Sequence, residues 1–214
     1  MCNIFVDTLD VCGLYPAIMG MRNPKDSWEK SDSGYEYNNY YQQQEEVLGE
    51  QDLILAQKLI KAGSEHRKFM RQIQVWADVI MPRYIWQELD TYKFGTKNSC
   101  STMHTIMKKP ITMNDFYLGS DPIIMTTKLF QENIIPDLNY FRDLYLESKD
   151  YRWVKEMKRV LPESFIQMRT WNTNYEELRN IYWQRKNHRL NEEWTIIIEW
   201  IESLPYAEEL ILCK

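Results

Sequence analysis

An α+β fold in which helices dominate and the sheet is small is what this sequence predicts, on three observations. Segments with apolar residues at helical spacing occupy much of the chain. Between them lie short stretches, 69–79 and 165–171, that mix β-branched and aromatic residues as strands do. The composition, 44% hydrophobic with 8 Trp and 14 Tyr in 214 residues, is enough to fill a sizeable core and suits a single domain spanning 1–214.

The elements follow in order. Residues 4–6 form a short apolar run suited to a first strand. Residues 21–40 are rich in Asn, Asp, Ser and Gly and read as a long loop. A helix is expected over 41–62, with Leu48, Leu55 and Leu59 on one face and Gly63 closing its C-terminus. The strand at 69–79 follows. Pro82 suits the first turn of a helix running to about Tyr92. Residues 94–100 hold Gly95, Asn98 and Ser99 and read as a loop. The stretch 121–150 is mostly helical, with Pro136 at an N-terminus or a kink. A short helix ends at Leu161-Pro162, before the strand at 165–171. Helices at 174–186 and 190–204 complete the chain, the second stopped by Pro205.

Charge and cysteine usage narrow the function classes. Net charge is −5, from 26 basic and 31 acidic residues, and no basic run stands out. A nucleic-acid polymer is therefore not expected as a partner, although a mononucleotide needs only a few cations. The four cysteines, Cys2, Cys12, Cys100 and Cys213, have no CxxC spacing, which points to free thiols in a reducing compartment and to no metal site. No segment reaches membrane-spanning length and the N-terminus lacks a cationic leader, so the expectation is a cytoplasmic protein without a membrane partner.

The helix at 174–186 carries the most informative pattern. Asn174, Leu178, Ile181 and Arg185 recur at i, i+4, i+7 and i+11. At ~100° per residue Asn174 and Arg185 return to one face, about 16 Å apart along the axis. An amide and a guanidinium closing an apolar stripe need partners, and an extended ligand such as a nucleotide stacked on a second ring system is one candidate. Surface contacts at the two ends of an ordinary helix are the alternative.

Two stretches carry a family likeness. LPESFIQMRTWNTNYEELRNIYWQR, 161–185, resembles the C-terminal half of the flavin-dependent thymidylate synthases in its Leu161-Pro162 pair, Asn174, Asn180 and Arg185. TYKFGTKNSCSTMH, 91–104, is collinear with that family's signature of Arg-His-Arg, Ser, Asn-Glu, Ser and Arg-Tyr. Asn98 and Ser101 match it, Lys93 stands for the last arginine of the triplet and Thr96 for the serine. The resemblance covers about 61–194. It implies the fold of that family, FAD as cofactor, NADPH and methylenetetrahydrofolate as co-substrates, and a homotetramer with sites at subunit interfaces. It assigns Lys93, Thr96, Asn174 and Asn180 to the flavin. Asn98, Ser101, Lys158 and Arg185 are assigned to a pyrimidine nucleotide. No catalytic side chain is singled out.

The same residues have physical readings of their own. Lys93, Thr96 and Asn98 offer a cation and hydrogen-bond donors suited to a pyrophosphate or ribose, or form an ordinary solvated loop. Ser101 suits a nucleotide carbonyl or caps the next helix. Arg185 suits a uracil edge or a phosphate, or an internal pair with Glu192 or Glu193. Cys100 has no paired base nearby in sequence.

The departures bear on the substrate. Thr91-Tyr92 replaces Arg-His, Glu88 replaces a neutral donor, Ser99 replaces the glutamate, and Met103-His104 replaces Arg-Tyr. Losing one charge-assisted hydrogen bond at Met103 costs about 1.5–3 kcal/mol, so a nucleotide phosphate is held less well unless another cation compensates. The enzyme reading is flavin-dependent C5 methylation, or a related one-carbon transfer, on a deoxyuridylate-type nucleotide. The alternative is a catalytically degenerate protein on the same fold that sequesters or senses a nucleotide.

Overall fold

The computed structural model describes residues 4–40 and 42–214; Cys2, and Tyr41 at the start of the expected 41–62 helix, lie outside them. The fold is α+β. The residues group into two compact units, each assembled from several segments: 1–6, 78–91 and 97–170 in the first, and 7–77, 92–96 and 171–214 in the second. Among the described residues, no helix is long and apolar enough to cross a membrane.

A four-stranded sheet has the order β1 (Phe5–Cys12), β4 (Gln74–Pro82), β6 (Ile166–Asn174), β5 (Thr96–Ser99). Val75, Ala77, Val79 and Met81 alternate inward along β4, as a period of two dictates. The strand starts later than its composition suggests, because 68–72 winds into a 3-10 turn that buries Phe69 and Met70. Residues 96–99, expected as loop, form β5; the backbone N–H of Cys100, just beyond it, donates to the Met168 carbonyl of β6 at 2.9 Å. A strand this short carries too little hydrophobic pattern to be read without its partner.

The first unit builds its core from Ile106, Met107, Ile111, Phe116, Phe130, Leu138, Val154, Met157 and Leu161. Helix α3 (Arg83–Leu89) starts beside Pro82 as expected, and the Trp86 indole donates to the Gln167 carbonyl at 2.8 Å. The segment after residue 121 gives α5 (Ile124–Leu129), one π turn over Phe130–Ile134, and α6 (Ile135–Ser148). The wide turn lies immediately before Pro136, whose missing N–H cannot continue the regular ladder. Helix α7 (Arg152–Val160) ends at Leu161, and α4 (Thr102–Thr105) is a single turn.

The second unit holds α1 (Leu14–Arg22), the hairpin β2 (Gly34–Asn38) and β3 (Gln43–Val47), and α2 (Glu50–Lys61). Two expectations are corrected here. The loop expected over 21–40 contains the end of α1 and all of β2, which pairs antiparallel with β3 in the register Gly34 to Val47. The helix expected over 41–62 begins only at Glu50, and its buried face is Asp52, Ala56 and Ile60 rather than the leucines.

The physical reason is Asp32. Its carboxylate accepts from Gln51 N at 2.9 Å and Asp52 N at 3.0 Å, so the helix is capped by a residue distant in sequence. A Cβ at Gly49 would lie 2.1 Å from Asp32 Cγ, so the capping carboxylate fits only beside glycine. Asp52 itself accepts from Arg22 Nε (2.6 Å), Ser31 Oγ (2.6 Å) and Ser33 Oγ (2.6 Å). Burial alone raises its pKa, but these bonds and the Arg22 charge outweigh it and hold the carboxyl below its ordinary value.

Helices α8 (Tyr175–Arg185) and α9 (Asn191–Glu202) follow β6 closely as expected. Leu178, Ile181, Trp194, Ile197 and Ile201 are among the buried residues they contribute. The Tyr175 hydroxyl donates to Pro205 O at 2.6 Å, and burial pushes its pKa well above the ordinary phenol range.

Candidate functional site

Helix α8 in the second unit organises most of the residues singled out in the sequence, and its two faces differ. Asn174 is its N-cap. Its Oδ1 accepts from Glu177 N at 3.0 Å and its Nδ2 donates to Phe94 O at 3.3 Å, so both ends of the amide have protein partners. Arg185, at the other end of the same face, lies over two rings. Its guanidinium carbon is 5.7 Å from the Tyr92 centroid and 5.0 Å from the Trp194 centroid, and its Nε donates to Tyr92 Oη at 3.0 Å. Tyr92 Oη donates in turn to Gln184 Oε1 at 2.9 Å, so Tyr92, a departure from the family triplet, is a buried support for Arg185. The polar ends of the stripe thus have partners inside the chain.

The segment 92–96 is pinned against this helix. Phe94 N donates to Glu177 Oε1 at 3.2 Å, and Arg71 sits 6.0 Å from the Phe94 ring centroid. Gly95 approaches the end of β6 so closely that a Cβ would fall 2.7 Å from Asn172 O and 2.8 Å from Trp171 Nε1. Lys93 and Thr96 remain exposed on this pinned loop. The first turn of α8 carries the buried carboxylates of Glu176 and Glu177. Two anions already occupy the positive end of the helix dipole, so a ligand phosphate is disfavoured there.

Asn180 lies about 120° around the helix from Asn174, on a different face. It lines a cleft of about 260 Å³ with Arg67, Arg179, Trp183 and Gln184. That is below the roughly 300–1,000 Å³ of pockets for drug-sized ligands, so the cleft suits one ring system and not a whole dinucleotide. Arg67 Nε donates to both oxygens of Glu176, at 3.0 and 2.9 Å. The indole of Trp183 donates to Ile211 O at 3.3 Å and has Lys186 Nζ 4.0 Å and Lys214 Nζ 5.2 Å from its centroid. The donor set is therefore guanidinium, amide and indole around a flat surface. Such a set fits the carbonyl-rich tricyclic ring of a flavin. Arg67, Arg179, Trp183 and Gln184 were not singled out in the sequence; the only signal for them is that Glu176, Asn180 and Trp183 follow at i, i+4 and i+7.

The remaining candidates belong to the first unit. Asn98 is exposed on β5, and Lys158 is exposed on α7. Ser101 precedes α4, but its side chain makes no cap bond; its carbonyl instead accepts from His104 N and Thr105 N. Cys100 is exposed, with Sγ 3.9 Å from Thr105 Oγ1, and Met103 is 43% exposed. His188 meets Trp194 edge to face at 5.8 Å. Of the cysteines within the described residues, Cys12, Cys100 and Cys213 are free, and no cluster of three or more His, Cys, Asp or Glu there is placed to hold a metal.

No protein-family model and no curated relative matches this chain. Solved structures do. Two crystal structures of thymidylate synthase X from Helicobacter pylori, both with FAD and dUMP, superpose with TM-scores of 0.71 and 0.73 at 17% sequence identity. The superpositions cover 98% of this chain and 97% and 99% of theirs. Over nearly its whole length, then, the chain has the fold of flavin-dependent thymidylate synthase.

Proposed function

We propose that this protein binds FAD and a pyrimidine nucleotide and catalyses a flavin-dependent one-carbon transfer to the nucleotide, C5 methylation of a deoxyuridylate being the first candidate. The observation that carries this reading is the Asn180 cleft, which presents donors suited to a flavin ring on a helix that matches the family at Asn174, Asn180 and Arg185, within a fold solved elsewhere with FAD and dUMP.

Asn180 and Gln184 hold the carbonyl edge of the ring, and Trp183 covers part of it. Lys93 and Thr96 bind the phosphate and ribose portion from the pinned loop. Asn174 acts as the cap that fixes this loop through Phe94 O, and so positions the donors. When bound, the flavin supplies the redox chemistry, with NADPH and methylenetetrahydrofolate as co-substrates, and the protein supplies orientation and electrostatics. Arg185, supported by Tyr92 and Trp194, is the residue assigned to the nucleotide. Assembly as a homotetramer in the cytoplasm belongs to this reading.

The deciding experiment is the visible absorption spectrum of the purified protein before and after loading with FAD and removing the excess. The two bands of an oxidised flavin, followed by turnover of dUMP with NADPH and methylenetetrahydrofolate, are expected. A colourless protein after loading overturns the flavin reading.

A second reading is favoured by two observations. Met103 is exposed where the family likeness expects a cation, and Arg185 already rests on Tyr92 and Trp194. On this reading the chain sequesters or senses a nucleotide without turning it over. It predicts calorimetric binding of a pyrimidine nucleotide by a colourless protein.

A further inference from the structure

Of the two guanidiniums that line the Asn180 cleft, Arg179 is the one with no carboxylate in ion-pair contact among the described residues, Glu176 acting on it only through its field. Arg67 is paired through both oxygens of Glu176, a carboxylate only 7% exposed, so its charge is balanced locally. Among the described residues Arg179 pairs with no carboxylate. It is half-buried, it donates through Nη1 to the Ile211 carbonyl and lies 4.0 Å from Cys213 Sγ, and its guanidinium carbon is 5.9 Å from the Trp183 ring centroid. Burial lowers its pKa from the ordinary value, but an arginine remains charged at neutral pH. The guanidinium is held by a backbone carbonyl, a dipole that orients it without cancelling its charge. Lys186 and Lys214 around the same indole add further positive charge. A partly desolvated, uncompensated cation beside a cleft is a mark of a binding site, because its cost is recovered when an anion arrives.

We infer that Arg179 makes this cleft selective for a planar heterocycle that carries negative charge, and that the reduced, anionic flavin ring is bound there more tightly than the oxidised, neutral one. The inference rests on the flavin reading above and adds a preference for oxidation state and the residue that sets it. It also separates Arg179 from Arg67: the two guanidiniums share the field of one carboxylate, Glu176, but only Arg67 is bonded to it, so the excess positive charge of the cluster falls at Arg179.

The test is the midpoint potential of protein-bound FAD against that of free FAD, measured anaerobically with a reference dye. Tighter binding of the reduced form raises the bound potential. A tenfold preference is expected, equivalent to about 30 mV for a two-electron couple. Arg179→Gln should bring the bound potential back to the free value, while Arg179→Lys, which keeps the charge, should retain most of the rise. Arg67→Gln is the internal contrast and should raise the potential less or lower it, because it leaves Glu176 without its partner. A wild-type potential at or below that of free FAD overturns the inference whether or not the Gln variant folds. An Arg179→Gln potential equal to the wild-type value overturns it too. Both results leave a yellow protein and the flavin reading intact. A protein that takes up FAD in neither oxidation state overturns that reading and the inference with it.

Discussion

The two faces of α8 have opposite designs. The Asn174–Arg185 face is regular: two apolar residues between two polar ends, each end satisfied inside the chain by the loop at 92–96 or by Tyr92 and Trp194. The Asn180 face is irregular, and its polar groups line a cleft. Periodicity marks what packs, because a helix keeps a stripe only where it must meet a surface of its own fold. A site for a small molecule asks for donors of the right kind at one place and imposes no period. The face that stood out in the sequence is thus the one whose polar ends the fold itself supports, and the face that lines a cleft has the weaker pattern.

The sharpest way to break this contrast is Arg185→Ala. Loss of two ring contacts and a charged hydrogen bond should cost about 2–4 kcal/mol in urea unfolding. A loss below ~0.5 kcal/mol would mean that these contacts do not support the fold and would remove the contrast. Next in size is Gly95→Ala, which drives a methyl group into Asn172 O and Trp171 Nε1 and should destabilise by about 1–3 kcal/mol. The loop bearing Lys93 and Thr96 would be displaced with it, so FAD affinity should fall in the same variant.

Asn174→Ala removes an N-cap and should cost about 1 kcal/mol, with Asn174→Ser recovering most of it. The serine variant sharpens the comparison, because it keeps a cap but not the amide. Unchanged FAD affinity would confine Asn174 to positioning, whereas a loss of roughly tenfold would mean that its amide also meets the ligand. The smallest effect on stability belongs to Asn180→Ala, within about 0.5 kcal/mol, because this half-buried side chain makes no hydrogen bond among the described residues. Its effect on FAD binding should be the reverse, a weakening of roughly tenfold by fluorescence titration. Equal stability losses at Asn174 and Asn180 would erase the distinction between the faces.

Much of the architecture could be read from the chain. The α+β class, the strand at 165–171, the helices before and after Pro136 and the two C-terminal helices all follow from local signals. Pro136, Pro162 and Pro205 act within a residue or two of where they stand. The likeness at Asn174, Asn180 and Arg185 pointed to a fold that whole-chain comparison then bore out. The misplaced helix start at 41–49 had a different origin. Gln, Glu and Leu are good helix formers, so propensity extends the helix backward, and only Asp32, brought in by the hairpin, sets the start at Glu50.

What the sequence determined by itself were properties carried by neighbours along the chain: helix periods, proline stops, the absence of a basic run, and a short motif at fixed spacing. What the tertiary structure alone decided were properties that depend on groups meeting from far apart. It placed Trp194 and Tyr92 on Arg185, Glu176 on Arg67, and the Ile211 carbonyl on Arg179. Whether a polar side chain is spent on the fold or left for a ligand depends on these meetings. A hydrogen bond or ion pair is made at about 3 Å whatever the separation in sequence, so no local pattern can report it.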